Sequence, residues 1–170
     1  MFNFDRFDLR CVRPEEAEEV AAIEKLCFSE AEACTRDRML ARVKKAPELF
    51  LVAFDKVNHT IAGSINSLAT SETAFRDEFF TDCDLYEKDG KNLMILGLSV
   101  RPEYRHQGLA SFIMNTYIDW AERDSRDRLI LTCHEELVPF YEDLGFTDLG
   151  FGNSQWGGVH WHDMVYELHV

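Results

Sequence analysis

The hydrophobic pattern of the chain switches several times between the spacing of a strand and that of a helix. Phe7 to Val12 is short and largely apolar on one side, which predicts a first strand. Pro14 then marks a helix start, because its fixed φ and the glutamates after it suit a first helical turn. The helix predicted from there to Phe28 carries five apolar residues on its inner side: Ala17, Val20, Ala21, Ile23 and Leu26.

The next segments predict a second helix, a hairpin and a loop. Thr35 is a suitable N-cap for a helix whose apolar side holds Met39, Leu40 and Val43. The apolar runs 49–54 and 60–68 flank a polar turn, the pattern of an antiparallel hairpin. Residues 70–90 are weakly patterned and rich in acids. They predict a solvated loop with a short helix at 74–80, or an acidic lip that gathers protonated amines.

The second half of the chain continues this alternation. Residues 92–100 are too few to span a membrane and too apolar for a loop, so they predict a central strand. An amphipathic helix follows, with Leu109, Ile113 and Tyr117 among its apolar positions. Beyond it we expect a fifth strand at 129–132, a short helix at 137–144 and a closing strand at 159–170. Such an alternation indicates an α/β domain, and the length fits a single domain over residues 1–170.

Charge and cysteine content narrow the class of function. The formal net charge of −13 opposes binding to a nucleic acid backbone and is compatible with a cationic substrate. The five cysteines are odd in number and widely spaced, and the first residues do not resemble a secretory leader, so we expect a cytoplasmic protein without a membrane segment. His160 and His162 lack further ligands at metal spacing, so no metal site is expected.

The junction between the central strand and the following helix predicts a phosphate site. A helix begins with unpaired N–H groups and the positive end of its dipole. Gly108 removes the side chain that would hold a pyrophosphate away, and Arg105 adds a charged donor. A glycine at such a junction is also common for steric reasons alone, so the junction by itself leaves both interpretations open.

Two segments carry a resemblance to a known family. Leu98 to Tyr104 followed by Arg105-x-x-Gly108-x-Ala110 resembles the acetyl-CoA motif of the GNAT superfamily of N-acetyltransferases. Cys133 to Phe146 is similar to the distal motif of that family, and its Leu-Val-Pro-Phe-Tyr run resembles the serotonin (arylalkylamine) branch. The resemblance implies the α/β GNAT fold. That fold is a mixed, mostly antiparallel sheet of about seven strands, splayed between strands 4 and 5 and flanked by about four helices.

The same resemblance implies acetyl-CoA as the co-substrate. Backbone N–H groups at the end of the fourth strand would stabilise the oxyanion and pair with the pantetheine arm. The start of the following helix would hold the diphosphate. On this basis the cofactor-binding residues are predicted to be Leu98, Ser99, Val100, Arg105, His106, Gln107, Gly108, Leu109, Ala110 and Ser111.

Tyr141 matches the tyrosine with which family members protonate the sulfur of coenzyme A, and a phenol remains protonated at neutral pH. A core aromatic with a satisfied hydroxyl is the alternative. The two histidines of the serotonin branch fall on Met94 and Leu96, which cannot take a proton. His134 is the candidate base. Glu30, Glu32 and the acids of residues 70–90, water or bulk solvent, and an amine that arrives deprotonated are the alternatives.

Substrate choice is predicted to depend on the segment 29–34, which in related enzymes folds over the amine site. Its carboxylates Glu30 and Glu32 favour a cationic amine, and Thr132 stands where serotonin-type enzymes have a larger residue. The predicted protein is a monomeric or homodimeric acetyltransferase that acts on a small primary amine, either an arylalkylamine or a polyamine. The alternatives are a protein or peptide amino group as acceptor, and a module that binds acyl-CoA without catalysis.

Overall fold

The computed structural model of the chain describes residues 3–169. These residues form seven strands and five α-helices, with short 3-10 turns between them. In chain order they are β1 (Phe7–Cys11), α1 (Ala17–Cys27), α2 (Arg36–Lys45), β2 (Phe50–Asp55), β3 (Thr60–Thr70), α3 (Glu78–Thr81), β4 (Asn92–Val100), α4 (Leu109–Arg123), β5 (Arg128–Cys133), α5 (Val138–Asp143), β6 (Thr147–Phe151) and β7 (His162–Glu167).

The strands form one mixed sheet in the order β1-β2-β3-β4-β5-β7-β6. The pairs β1 with β2, β2 with β3, β5 with β7 and β6 with β7 are antiparallel. The parallel pair of β4 and β5 extends over only three residues of each strand, from Asn92 opposite Arg128 to Met94 opposite Ile130. The predicted fold class, including the splay between strands 4 and 5, is therefore confirmed. The fifth helix is α3, a single turn.

The described residues fall into two compact units. One contains the residues up to Asn66 together with Gly97–Tyr117, and the other contains Ser67–Leu96 and the residues from Ile118 onward. The first unit includes the junction between β4 and α4, and the second includes β5, α5, β6 and β7. A single domain over residues 1–170 stays a prediction.

The core of the first unit corrects the predicted face of α1. Val20 and Ile23 are fully buried in a cluster with residues of α2 and β2. Leu26, predicted to point inward, is 57% exposed, whereas Glu24 is only 4% exposed. Glu24 follows Val20 by four residues, and side chains at that spacing share one helical face. The carboxylate therefore occupies a core position on this helix.

The other predicted helix and strand boundaries agree with the structure in part. The strand at 92–100 and the N-cap at Thr35 are confirmed, and the Thr35 Oγ1 accepts the Arg38 N–H at 3.3 Å. The short helix predicted at 74–80 begins only at Glu78. β6 was missed, and the closing strand is shorter than predicted, with Val170 outside the described residues.

Candidate active site

The turn between β4 and α4 presents a row of unpaired backbone donors. The N–H groups from His106 to Ser111 donate no hydrogen bond to any residue of the described chain. The Phe112 N–H is the first to be paired, with the Gly108 carbonyl at 3.0 Å. His106 and Gly108 have φ values of +62° and +90°, so the turn is left-handed at two points. Such consecutive donors at a helix start are suited to binding an anion.

Gly108 leaves the outer side of this turn free of side-chain atoms. A side-chain carbon placed on it would meet no atom within 4 Å, so its outer side faces free space. Arg105 is exposed beside it and uses its Nε to donate to the Val100 carbonyl at 3.1 Å. That single bond holds the guanidinium near the turn. Its other N–H groups have no partner in residues 3–169, which leaves them available to a phosphate oxygen.

An ion pair between half-buried Arg6 and buried Asp55 anchors the segment that leads into the turn. The Tyr104 hydroxyl donates to Asp55 Oδ2 at 2.5 Å, and Arg6 donates to both oxygens of Asp55 at 2.9 and 2.6 Å. Asp55 is fully buried. The hydrogen bonds from Arg6 and, to a lesser extent, from Tyr104 hold the pKa of Asp55 well below its usual range, against the opposing effect of burial. The segment that leads into the turn is thus fixed to the β2–β3 hairpin.

The end of β4 is the predicted place for the thioester. Gly97 and Leu98 are half-buried, while Ser99 and Val100 are buried. The strand is held in position by the Cys27 thiol, which donates to the Val100 carbonyl at 3.3 Å. The structure thus places the predicted residues Leu98, Ser99 and Val100 at the end of β4, and the 3-10 turn Pro102–Tyr104 separates them from the unpaired donors.

Glu24 lies against this part of β4 and was not predicted. Its Oε1 accepts the Cys34 N–H at 3.1 Å, and its Oε2 lies 3.5 Å from the Ser99 Oγ, which can donate to it. Burial raises the pKa of Glu24, and the Cys34 N–H, the charge of Arg42 and the Ser99 hydroxyl oppose that rise only in part. The signal in the sequence was a carboxylate in register with the apolar stripe of α1.

The predicted substrate acids lie on the segment between α1 and α2. Glu30 is exposed and lines a groove of about 720 Å³ whose floor includes Ala21 and Cys34. Glu32 is half-buried, and its N–H donates to the Ser29 carbonyl at 3.0 Å. The segment thus has a defined turn structure. Their role in substrate binding stays a prediction.

In the second unit, α5 carries the predicted proton donor. Tyr141 is 8% exposed and meets the rings of Phe140 and Phe146 edge-on, at centroid distances of 5.0 and 5.6 Å. Its hydroxyl has no hydrogen-bond partner among residues 3–169. Burial, and secondarily the neighbouring Cys133, raise the pKa of Tyr141 above its usual value. The phenol therefore stays protonated throughout the neutral range.

The end of α5 fixes this tyrosine. The Gly145 N–H donates to the Glu142 carbonyl at 2.9 Å and the Phe146 N–H to the Tyr141 carbonyl at 3.0 Å, which is the Schellman pattern of a helix C-terminus. Gly145 has a φ of +106°, and a side-chain carbon on it would lie 2.8 Å from the ring of Tyr166. A glycine is therefore required at this position.

The other two candidate residues of the second unit, His134 and Thr132, pack against neighbouring side chains. His134 is half-buried, and its ring stacks on Trp161 at a centroid distance of 4.2 Å. Thr132 pairs with Asp163 of β7, and its hydroxyl lies beside that carboxylate without hydrogen-bond geometry. Burial raises the pKa of Asp163. The roles of His134 and Thr132 in the reaction stay predictions.

The composition of the described residues also bears on metal binding and membrane insertion. Residues 3–169 contain no group of three or more histidine, cysteine, aspartate or glutamate side chains that could hold a metal ion. Of the helices in the same range, none has the length and apolar composition needed to cross a bilayer.

Comparison with known families decides the class of this fold. The model of the acetyltransferase (GNAT) family matches residues 17–146, which include α1, the β4–α4 turn and α5. The chain belongs to this family. The predictions of an N-acetyltransferase, and of acetyl-CoA as its co-substrate, are confirmed at the level of the family. The individual residue assignments stay predictions.

Individual GNAT proteins are similar over most of the chain. The serotonin N-acetyltransferase of Mesocricetus auratus is 29% identical over 147 residues, which are 84% of this chain and 69% of that protein. The structure of the GphF GNAT-like decarboxylase in complex with isobutyryl-CoA matches with a TM-score of 0.82 at 17% identity. The match covers 95% of this chain and 100% of the decarboxylase chain.

A phosphinothricin acetyltransferase of the GNAT superfamily from Sinorhizobium meliloti, in complex with acetyl-CoA, has a TM-score of 0.67 at 14% identity. The match covers 96% of this chain and 89% of the phosphinothricin acetyltransferase chain. At such identities the two solved structures establish a shared fold.

Proposed function

We propose that the protein transfers the acetyl group of acetyl-CoA directly to a small primary amine, either an arylalkylamine or a polyamine. The row of unpaired N–H groups from His106 to Ser111 carries the proposal, because such a row is suited to a diphosphate. Arg105 supplies the charged donor beside it. In this proposal Gly108, Leu109 and the other residues of the turn bind the coenzyme through their backbone.

The thioester is assigned to the end of β4. The pantetheine arm would pair with the backbone of Leu98, Ser99 and Val100 in the manner of an added strand. Backbone N–H groups in this segment would then stabilise the negative charge that develops on the acetyl oxygen when the amine attacks. The half-buried position of Gly97 and Leu98, within a strand that is otherwise buried, supports this assignment.

An amine acceptor agrees with the charge of the chain. A net charge of −13 attracts protonated amines, and Glu30 offers an exposed carboxylate on the segment proposed to cover the substrate. The name of the hamster relative, serotonin N-acetyltransferase, supports an amine of small size. Met94 and Leu96, where that branch has histidines, are buried and leave the removal of the amine proton to another group.

We assign the proton donor for the departing thiolate to Tyr141. Support comes from its protonated state and from a hydroxyl that has no partner within residues 3–169. A hydroxyl with a structural hydrogen bond would have to break it before it could donate.

We also propose a cytoplasmic location, since all five cysteines are free thiols.

The decisive experiment measures thiol release from acetyl-CoA in the presence of phenylethylamine, tryptamine, spermidine, putrescine and a lysine-containing peptide. We expect release that depends on one of the free amines, together with acetyl-CoA binding by calorimetry. Turnover of the peptide alone would indicate a protein acceptor. Tight acetyl-CoA binding without turnover of any amine would instead identify a non-catalytic acyl-CoA module.

A further inference from the structure

The buried carboxylate of Glu24 has no counter-ion in contact with it. The described chain places no cationic side chain within 4 Å, and its partners are one backbone N–H and one hydroxyl. An anion buried in this way is costly to keep unless a cation or a proton compensates it. A structural role as a cap for the Cys34 N–H would be served equally well by a neutral glutamine.

The carboxylate faces a small polar notch in β4. A side-chain carbon placed on Gly97 would meet only two atoms within 4 Å, Glu24 Oε2 at 3.5 Å and Asn66 Nδ2 at 3.4 Å. Gly97 itself is half-buried, so the notch lies at an opening of the strand. Its neighbours at this distance are thus one anionic acceptor and one amide donor.

Asn66 provides an independent sign that the notch receives a polar group. Its side chain is 3% exposed, and its Oδ1 accepts a hydrogen bond from Arg42 at 3.2 Å. That bond turns the Nδ2 towards Gly97, where it donates to no residue of the described chain. The Nδ2 atom itself is not fully buried, so it reaches the opening at Gly97 and marks the notch as polar. An ammonium cannot accept a hydrogen bond from this donor, so its contact is assigned to Glu24 alone.

From this arrangement we infer that Glu24 is the general base of the reaction, and that it receives the ammonium group of the substrate at the Gly97 notch. The inference rests on the proposed function. It assigns to Glu24, in place of His134, the role of base that Met94 and Leu96 cannot fill. Gly97 immediately precedes the residues assigned to the thioester, so an amine held there would lie beside the acetyl carbon.

The proton balance follows directly. The substrate arrives as R–NH3⁺, and one N–H bond breaks as the proton passes to a Glu24 oxygen. The free amine then attacks the acetyl carbon, the C–S bond breaks, and the thiolate takes a proton from Tyr141. The second proton of the attacking nitrogen leaves to solvent. Before the next cycle Glu24 gives up its proton and Tyr141 regains one through solvent, so the net products are the amide, the thiol and one released proton.

The groups around Glu24 set the pH at which it can act. Arg42 of α2, the Cys34 thiol and N–H before α2, Ser99 of β4 and Asn66 of β3 surround it. Arg42 is the one cation among them, and burial exceeds its effect, so the pKa is raised. The acid limb of kcat/KM should therefore lie above the ordinary glutamate pKa of about 4.3.

The test compares Glu24→Gln with the wild type on two amines, phenylethylamine and its β,β-difluoro analogue. The fluorinated ammonium is far more acidic and is largely deprotonated at mildly alkaline pH, so it needs no base. We expect kcat/KM for phenylethylamine to fall by about 100-fold or more, and that for the analogue to fall much less. The acetyl-CoA Kd should not change, and Glu15→Gln, an exposed glutamate before α1, should behave as wild type.

Gly97→Ala provides a second variant in case the first does not fold. Its methyl group would make ordinary contacts with the two polar atoms of the notch, so we expect a folded protein that binds acetyl-CoA but has a roughly tenfold higher amine KM. Equal losses on both amines in Glu24→Gln, or an unchanged pH profile, would overturn the assignment of Glu24 while leaving the proposed function intact. A wild type without amine-dependent thiol release would overturn both.

Discussion

The start of α4 and the end of α5 differ in whether their terminal backbone groups are hydrogen-bonded. At the start of α4 the N–H groups from His106 to Ser111 remain open, and nothing in the described chain satisfies them. At the end of α5 the carbonyls of Tyr141 and Glu142 are paired through Gly145 and Phe146. An open helix end is suited to a ligand, and a closed one to a fixed side chain. Changes at the first should therefore alter binding, and changes at the second should alter chemistry.

The largest effect on binding is expected from Arg105→Glu. Reversal of this charge places a carboxylate beside the proposed diphosphate, so the Kd of acetyl-CoA should rise by about 100-fold or more. Arg123→Glu, at an exposed position in the last turn of α4, is the matched control and should bind normally. Calorimetry decides the outcome. Equal affinity in both variants would mean that the diphosphate binds elsewhere.

Tyr141→Phe should separate chemistry from binding. The hydroxyl has no partner in residues 3–169, so its loss should leave the fold and the acetyl-CoA Kd unchanged while kcat falls by about 10–100-fold. Because its pKa is raised, the wild-type donor should remain active up to and beyond the ordinary tyrosine pKa of about 10. Tyr166→Phe, which retains the ring against Gly145, serves as the control. A wild-type kcat in Tyr141→Phe would remove this residue from the mechanism.

A pair of glycine variants tests whether the open end itself matters. Gly108 and Gly150 have similar φ values, +90° and +81°, and neither would crowd an added methyl group. Alanine at either position should cost about 1–2 kcal/mol of stability through backbone strain. Only Gly108→Ala should weaken acetyl-CoA binding, by roughly tenfold. Thermal unfolding and calorimetry on both variants measure the two effects separately, and parallel losses of affinity would contradict the proposed role of the turn.

The smallest effect on activity is expected from Asp55→Asn, which removes the ion pair with Arg6 that fixes the segment before α4. Loss of the Arg6 ion pair should reduce the free energy of unfolding by about 1–3 kcal/mol at neutral pH. The pKa of Asp55 is lowered in the fold, so its contribution is present above the unfolded value of about 3.9 and is lost as the pH falls.

The stabilities of wild type and Asp55→Asn should therefore converge in acid. Urea unfolding at neutral and acidic pH tests this, and a gap that persists at low pH would show that the ion pair is not its cause.

Several elements were predictable because their signal is local. The nine residues of β4 form one apolar run, and the stripe of α4 recurs with helical spacing over its whole length. The Thr35 cap is a property of a single residue. The β4–α4 turn was recognised because its glycine and arginine occur together at a strand-to-helix junction. Family resemblance then supplied the identity of the anion.

The rest depended on information that adjacent residues do not carry. β6 has no buried residue, and its apolar Leu149 and Phe151 are about 60% exposed, so no buried apolar face marks it as a strand. Asp55 meets Arg6 and Tyr104 across 49 residues of sequence in each direction. Glu24 lies in register with the apolar stripe of α1, but an apolar pattern by itself predicts burial only for its apolar members.

His106 and Gly108 hold left-handed backbone angles as part of the fold, and the N–H groups from His106 to Ser111 are already unpaired. Capture of the coenzyme should therefore require only the release of water, with no prior ordering of the turn. Since the chain as a whole repels a polyanion, encounter should be slow in dilute buffer and should accelerate as added salt screens that repulsion. An association rate constant that rises with ionic strength would show that the net negative charge of the chain governs the encounter, because attraction to the turn alone would make it fall.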